Sequence, residues 1–163
     1  MAKSNELDFI FFATQHNFSM DLVPDLIEKG TKVIDLSADF RISDTAMWEK
    51  AYEDKHRAPE LAQNAVYGLP ELGREKIKEA KLVAVPGCYP TASILGIIPV
   101  IDFVDNKSEI ILDVKSGISG AGRNKVEEGL SSEIKDNFKA YSPEFHRHQT
   151  EINYFLKKNY GIT

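Results

Sequence analysis

Hydrophobic positions along the chain fall into short runs whose spacing alternates between that of strands and that of helices. Residues 7–13 are apolar at nearly every position and predict a buried strand. Residues 19–29 carry helical spacing, open on Ser19 as a cap and stop at Gly30, with Pro24 placed to weaken or kink the helix. Residues 32–36 predict a second strand, and a strand, helix and strand in direct succession imply parallel pairing through a right-handed crossover. Short surface helices are predicted over 44–52, where Trp48 and Tyr52 pack the helix onto the sheet, and over 73–80. Residues 81–85 return to the sheet, and 91–98 predict a helix with Pro90 near its first turn, where the missing N–H costs nothing. The organisation is α/β.

Past Pro99 the character changes. Residues 108–115 alternate well enough for a strand with one polar face and run into 116–122, Ser-Gly-Ile-Ser-Gly-Ala-Gly, whose glycine density demands a tight loop with exposed backbone. Residues 150–160 predict an amphipathic helix with Ile152, Phe155, Leu156 and Tyr160 on one stripe and Gly161 as its stop. A boundary near residues 85–90 is expected, with a second, antiparallel or mixed unit after it.

Composition narrows the class. With 163 residues, 42% hydrophobic and 28% charged, the chain can bury a core and is not disordered. A formal charge of −5 argues against non-specific binding to nucleic acid or anionic membranes. One cysteine excludes an intrachain disulfide framework, no apolar run reaches spanning length, and residues 1–8 lack a signal-peptide apolar region, so a cytoplasmic location is expected.

The single cysteine, Cys88, sits in Pro86-Gly87-Cys88-Tyr89-Pro90-Thr91 at a strand-to-helix junction. Helix N-termini carry unpaired N–H donors and partial positive charge, which bias a sulfur there toward the nucleophilic thiolate. The other reading is a small buried hydrophobe. The 116–122 loop can present N–H groups to a phosphate or ribose, and an ordinary turn of small residues looks the same. His146 and His148, with His16 and His56, are all the histidines. No cysteine, histidine or acid cluster has ligand-like spacing, so no metal is expected; the chemical reading of the pair is acid–base work, set against surface histidines with no role. Arg41 can pair with a substrate carboxylate or phosphate, or simply with Asp39. Glu71 follows a Gly-Leu-Pro turn, where a solvated loop acid is the alternative, and Arg123 is a phosphate contact or a plain surface charge.

Six blocks in order carry a resemblance: 13–16 (Ala-Thr-Gln-His), 35–41 (Asp-Leu-Ser-Ala-Asp-Phe-Arg), 66–71 (Val-Tyr-Gly-Leu-Pro-Glu), 86–91, 116–123 and 146–152 (His-Arg-His-Gln-Thr-Glu-Ile). Together they resemble the middle of the N-acetyl-γ-glutamyl-phosphate reductase family, NADPH-dependent enzymes of arginine biosynthesis. Gln15 and Asn17 stand where the family usually has Pro and Gly, and Gln149-Thr150 where Thr-Pro is usual.

The resemblance implies an incomplete Rossmann-like nucleotide-binding domain over 1–87, followed over 88–163 by the start of an α+β semialdehyde-dehydrogenase catalytic and dimerisation domain. It implies an internal fragment, inactive alone, lacking the family's opening glycine-rich turn, and a homo-oligomer, dimer or tetramer, when full length. Cys88 is then the nucleophile that forms a thioester with N-acetyl-L-glutamyl 5-phosphate, and His146 the proton donor as the semialdehyde is released. Ala13, Thr14, Ser37, Ala38, Ser119, Gly120 and Gly122 are expected beside NADP(H). Arg41, Glu71, Arg123, Arg147 and His148 are expected on the substrate side. A reductase of the one-carbon-longer aminoadipyl phosphate in lysine biosynthesis, a Cys–His hydrolase and a non-catalytic module are the alternatives.

Overall fold

The computed structural model describes residues 7–105, 109–121, 140, 142 and 144–162. Four parallel strands, β1 (Phe9–Phe12), β2 (Lys32–Asp35), β3 (Val66–Tyr67) and β4 (Leu82–Ala84), form one sheet in the order β1-β2-β4-β3. The register pairs Ile10 with Val33 and Val33 with Leu82, so alternate residues of neighbouring strands share a face. Ile10, Phe12, Val33, Leu82 and Ala84 line that face and pack with Met20, Val23, Phe40, Ile42 and Trp48 in the larger core. Phe9 and Phe11, on the opposite face of β1, are exposed.

Helix α1 (Ser19–Glu28) connects β1 to β2 and runs through Pro24. Ser19 is not its cap. Phe18 holds that position without a side-chain bond, while the Ser19 hydroxyl turns inward to two buried carboxylates, Asp39 at 2.6 Å and Asp35 at 3.0 Å. Ionised or not, a buried carboxyl is costly without partners, and this one hydroxyl serves both. Helix α2 (Thr45–Tyr52) is capped by Asp44, which accepts from the Met47 N–H, and it plants Trp48 in the core with its indole N–H on Ala38 O at 2.9 Å. Two further helices, α3 (Pro59–Asn64) and α4 (Pro70–Glu79), flank β3, and α4 contains a kink at Gly73.

Helix α5 (Cys88–Ile97) leaves β4, continues as a 3₁₀ segment over Ile98–Phe103, and packs on the last helix, α6 (Arg147–Tyr160). Leu69, Ile94, Ile97, Ile152, Phe155, Leu156 and Ile162 make this second core. Gly161 ends α6 at φ 71°, a left-handed conformation that costs a residue without Cβ little. The strand expected over 108–115 is not formed among the described residues 109–117, and Ile111 is 88% exposed. Alternation announces a face to be buried, but a strand exists only against a hydrogen-bonding neighbour, and no described strand pairs with this segment.

Candidate active site

Parallel pairing delivers the carboxyl ends of three strands to one edge. Leu36 N–H donates to Phe12 O and Val85 N–H to Asp35 O, both at 2.8 Å, so the chain leaves β1, β2 and β4 side by side. Open parallel sheets bind ligands at such an edge. Ala13 and Thr14 emerge there exposed. Ser37 and Ala38 are buried, and Ser37 spends its side chain internally, its hydroxyl donating to Asp35 Oδ2 at 2.7 Å and its N–H to Oδ1 at 2.9 Å. Burial raises the Asp35 carboxyl above its ordinary range, assisted by the charge of Asp39 and opposed by the Ser37 and Ser19 bonds. His56 belongs to the same buried layer, with Nε2 against Asp39 O at 2.7 Å.

Cys88 is the first residue of α5 and its thiol is exposed, whereas Pro86 and Gly87 before it are buried. The first turn closes on Gly87 O, which accepts from the Thr91 N–H at 2.9 Å and hydroxyl at 2.8 Å. Gly87 is a close-approach glycine: a Cβ on it would lie 2.5 Å from His148 Nε2. Tyr89, next to the thiol, meets the His146 ring edge-on at 5.3 Å and the His148 ring at 5.8 Å, and its hydroxyl donates to Ser116 Oγ at 2.8 Å. Three blocks far apart in sequence thus converge around one turn: 86–91, the glycine-bearing segment, and the start of α6.

His146 caps α6, its Nδ1 accepting from the His148 N–H at 3.1 Å. In the neutral ring this bond leaves the proton on Nε2, the tautomer a proton donor needs. Partial burial, with Arg147 adjacent, holds its pKa below the ordinary value. For His148, burial and the charges of Arg41, His146 and Arg147 carry the pKa from 6.5 down to about 4, and its Nδ1 is buried with no hydrogen-bond partner among the described residues. His148 is therefore a neutral imidazole at neutral pH.

The remaining expected residues divide. Arg147 is exposed and its guanidinium lies 5.1 Å over the Tyr52 ring. Arg41 is turned inward: Nε donates to Val85 O and Nη2 to Leu36 O, both at 2.7 Å, and Nη1 pairs with Glu151 at 3.4 Å rather than with Asp39. Glu71 is exposed in the first turn of α4, and among the described residues no hydrogen bond or ion pair ties it to the cluster around Cys88. Ser119 and Gly120 lie in a 3₁₀ turn over Ile118–Ala121, where Gly120 N–H donates to Gly117 O at 3.0 Å. Gly122 and Arg123 lie outside the described residues. Among the described residues no group of acids, histidines or cysteines could hold a metal ion, and no helix is long and apolar enough to cross a membrane.

Glu151 was not among the expected residues. It is 1% exposed and accepts from Tyr67 Oη at 2.7 Å, the Gly87 N–H at 3.1 Å and Arg41. Burial pushes its carboxyl up, while Arg41, Tyr67 and Gly87 pull it back. The tyrosine in turn is raised by burial and by the Glu151 charge.

An exposed thiol opening a helix at the carboxyl edge of a parallel sheet, with a histidine at the neighbouring helix start, is an arrangement of the nucleotide-binding α/β class. The comparisons narrow that class. A family model described as "Semialdehyde dehydrogenase, NAD binding domain" matches residues 1–80, and one described as "Semialdehyde dehydrogenase, dimerisation domain" matches 88–162. The chain belongs to the semialdehyde dehydrogenase family. It is 50% identical over 155 residues to the N-acetyl-gamma-glutamyl-phosphate reductase of Pseudomonas savastanoi pv. phaseolicola, covering 94% of this chain and 45% of that protein. It is 52% identical over 148 residues to the protein of the same name from Nitrosococcus oceani, covering 90% and 43%. For the one from Nitrosospira multiformis the identity is 48% over 158 residues, covering 96% and 46%. The chain spans about half the length of the curated relatives it matches.

The residues present suit a nicotinamide cofactor at this edge. Ala13 and Thr14 are exposed at the end of β1, and the glycine-bearing turn is tied to α5 by the Tyr89–Ser116 bond. Among the described residues, Cβ atoms on Gly117 and Gly120 would meet only Ser119 and Ser116 of their own segment.

Proposed function

We propose that this chain carries the reacting residues of an N-acetyl-γ-glutamyl-phosphate reductase, which reduces N-acetyl-L-glutamyl 5-phosphate to N-acetyl-L-glutamate 5-semialdehyde with NADPH. The observation that carries the reading is the exposed Cys88 thiol at the start of α5, one residue from a tyrosine that touches both the His146 ring and the glycine-bearing segment. The names of the relatives support the glutamyl over the aminoadipyl substrate.

In this reading Cys88 Sγ attacks the acyl carbon, the C–S bond forms as the C–O bond to phosphate breaks, and phosphate leaves with the electron pair. The nicotinamide, when bound, supplies the hydride that reduces the thioester carbon. Cys88 then departs as thiolate when the C–S bond breaks. His146 Nε2–H donates to the oxygen that gains charge during these steps, and the main-chain N–H groups of Cys88 and Tyr89 at the start of α5 share that load. His148, neutral and pressed on Gly87, and Arg147 orient His146 or the phosphate. Ala13, Thr14, Ser119, Gly120 and Gly122 border the nicotinamide side. Ser37 and Ala38 contribute through the main chain, because the Ser37 hydroxyl is committed to Asp35. Arg41 acts through its bonds to the strand ends rather than by open access, and Glu71 and Arg123 complete the substrate side. We place the nucleotide-binding part in 1–87 and the catalytic and dimerisation part in 88–163, with the full-length protein a homo-oligomer.

The full-length protein should catalyse phosphate-dependent reduction of NADP by N-acetyl-L-glutamate 5-semialdehyde. Cys88→Ser should abolish that rate, and His146→Asn should depress kcat by about 10²-fold or more with little change in KM. Wild-type rates from Cys88→Ser would remove the proposal.

A further inference from the structure

Two residues of α6 grip the same glycine from two directions. His148 lies against the Gly87 Cα, so close that a Cβ would meet its ring at 2.5–3.0 Å, and Glu151 takes the Gly87 N–H at 3.1 Å. Positions three apart on a helix lie on one face, so both reach the turn from a single helical surface. Residue 146 begins that same helix. The geometry of the thiol relative to the donor histidine therefore passes through Gly87 and the 148/151 face.

We propose that Glu151 is a positioning residue: its buried carboxylate, together with the His148 ring, clamps Gly87 and so fixes the Cys88 turn against the histidine-bearing end of α6. Its three partners show how. Among the described residues its hydrogen bonds come from three donors: the Gly87 N–H before the nucleophile, the Tyr67 hydroxyl from β3, and the Arg41 guanidinium. Arg41 carries the restraint further, because its other nitrogens hold Val85 O at the end of β4 and Leu36 O at the end of β2. A single carboxylate thus links two strand ends, the nucleophile turn and the helix that supplies the donor. Oε1 takes both the Gly87 N–H and the Tyr67 hydroxyl while Oε2 meets Arg41, so an amide could keep its oxygen on Gly87 and only truncation of the side chain removes that bond.

The inference rests on the proposed reductase chemistry for its kinetic consequence, and on the chain alone for its structural one. Glu151→Ala in the full-length protein should accelerate hydrogen exchange of the Gly87 amide by about tenfold or more, the loss expected for a buried bond to a charged acceptor. Exchange within α1 and α2 should be unchanged. In the semialdehyde assay kcat should fall by about 10²-fold, the cost of misplacing reacting groups by about an ångström, while KM for semialdehyde and NADP moves less than about threefold. Tyr67→Phe removes one donor without removing the carboxylate, and should give the same split with a smaller fall. It carries the test if Glu151→Ala does not fold. Unchanged Gly87 exchange in Glu151→Ala, or a fall in thermal stability in both variants with kcat intact, would overturn the clamp. A wild-type protein without reductase activity would instead overturn the functional reading, and the exchange result would still decide whether the carboxylate holds the turn.

Discussion

Replacing Gly87 by alanine isolates one contact of the site. Gly87 has φ −64° and ψ 163°, a conformation open to any residue, so the substitution carries no backbone penalty. The whole cost is the new methyl, which would stand 2.5 Å from His148 Nε2, 2.8 Å from Cδ2 and 3.0 Å from Cε1. The ring has little room to retreat, since His146 lies 4.9 Å and Tyr89 5.8 Å from its centre. Overpacking of this kind costs about 1–3 kcal/mol. For a domain of this size that lowers Tm by about 2–10 °C, as read by circular dichroism. Adding His148→Ala removes the ring that the methyl strikes, so the double variant should recover at least about 1 kcal/mol relative to the sum of the single losses. A Gly87→Ala protein that melts with the wild type, or losses that simply add, would refute the contact.

His148 should also mark the pH dependence of stability. Its pKa lies at about 4 when folded against an ordinary 6.5, so the unfolded chain binds more protons between those values. The contribution, about 2–3 kcal/mol at most, is present above pH 6.5 and lost as pH falls toward 4. The difference between wild-type and His148→Gln denaturation curves should show that loss and isolate it from Asp35 and Glu151, whose raised pKa values act in the opposite sense. A flat difference would contradict the burial of the neutral ring. Asn17 holds φ 74° where the family usually has glycine. Asn17→Ala should destabilise by about 1–2 kcal/mol and Asn17→Gly by clearly less, in urea denaturation, because alanine keeps a Cβ at this φ without asparagine's tolerance of the region and glycine has none. Equal losses would refute the argument from strain.

The parallel sheet was legible because β1, β2 and β4 are short apolar runs with a helix of ordinary spacing between the first two. Tyr67 and Val66 were not read as a strand, since two residues of β3 offer no period to detect. The strand expected over 108–115 shows the reverse failure, a clear alternation without a neighbour to pair with. Ser19 looked like a cap, and the two carboxylates that claim its hydroxyl come from β2 and the loop after it, a tertiary fact invisible in local sequence. Cys88 and His146 could be named from motif and resemblance, but that Tyr89 brings them to the Ser116 segment required the fold. Glu151 did leave a signal. It falls beside Ile152 and three positions after His148 on the buried stripe of α6, and an acid on such a stripe demands partners.

The central claim is that Cys88 carries the acyl group. Full-length protein mixed with N-acetyl-L-glutamyl 5-phosphate in the absence of NADPH, quenched in acid, digested and analysed by mass spectrometry, tests it directly. The peptide containing Cys88 should gain the mass of one N-acetylglutamyl group, lose it on treatment with hydroxylamine, and remain unmodified in Cys88→Ser. An unmodified Cys88 peptide from an enzyme that still turns over when NADPH is added would contradict the account.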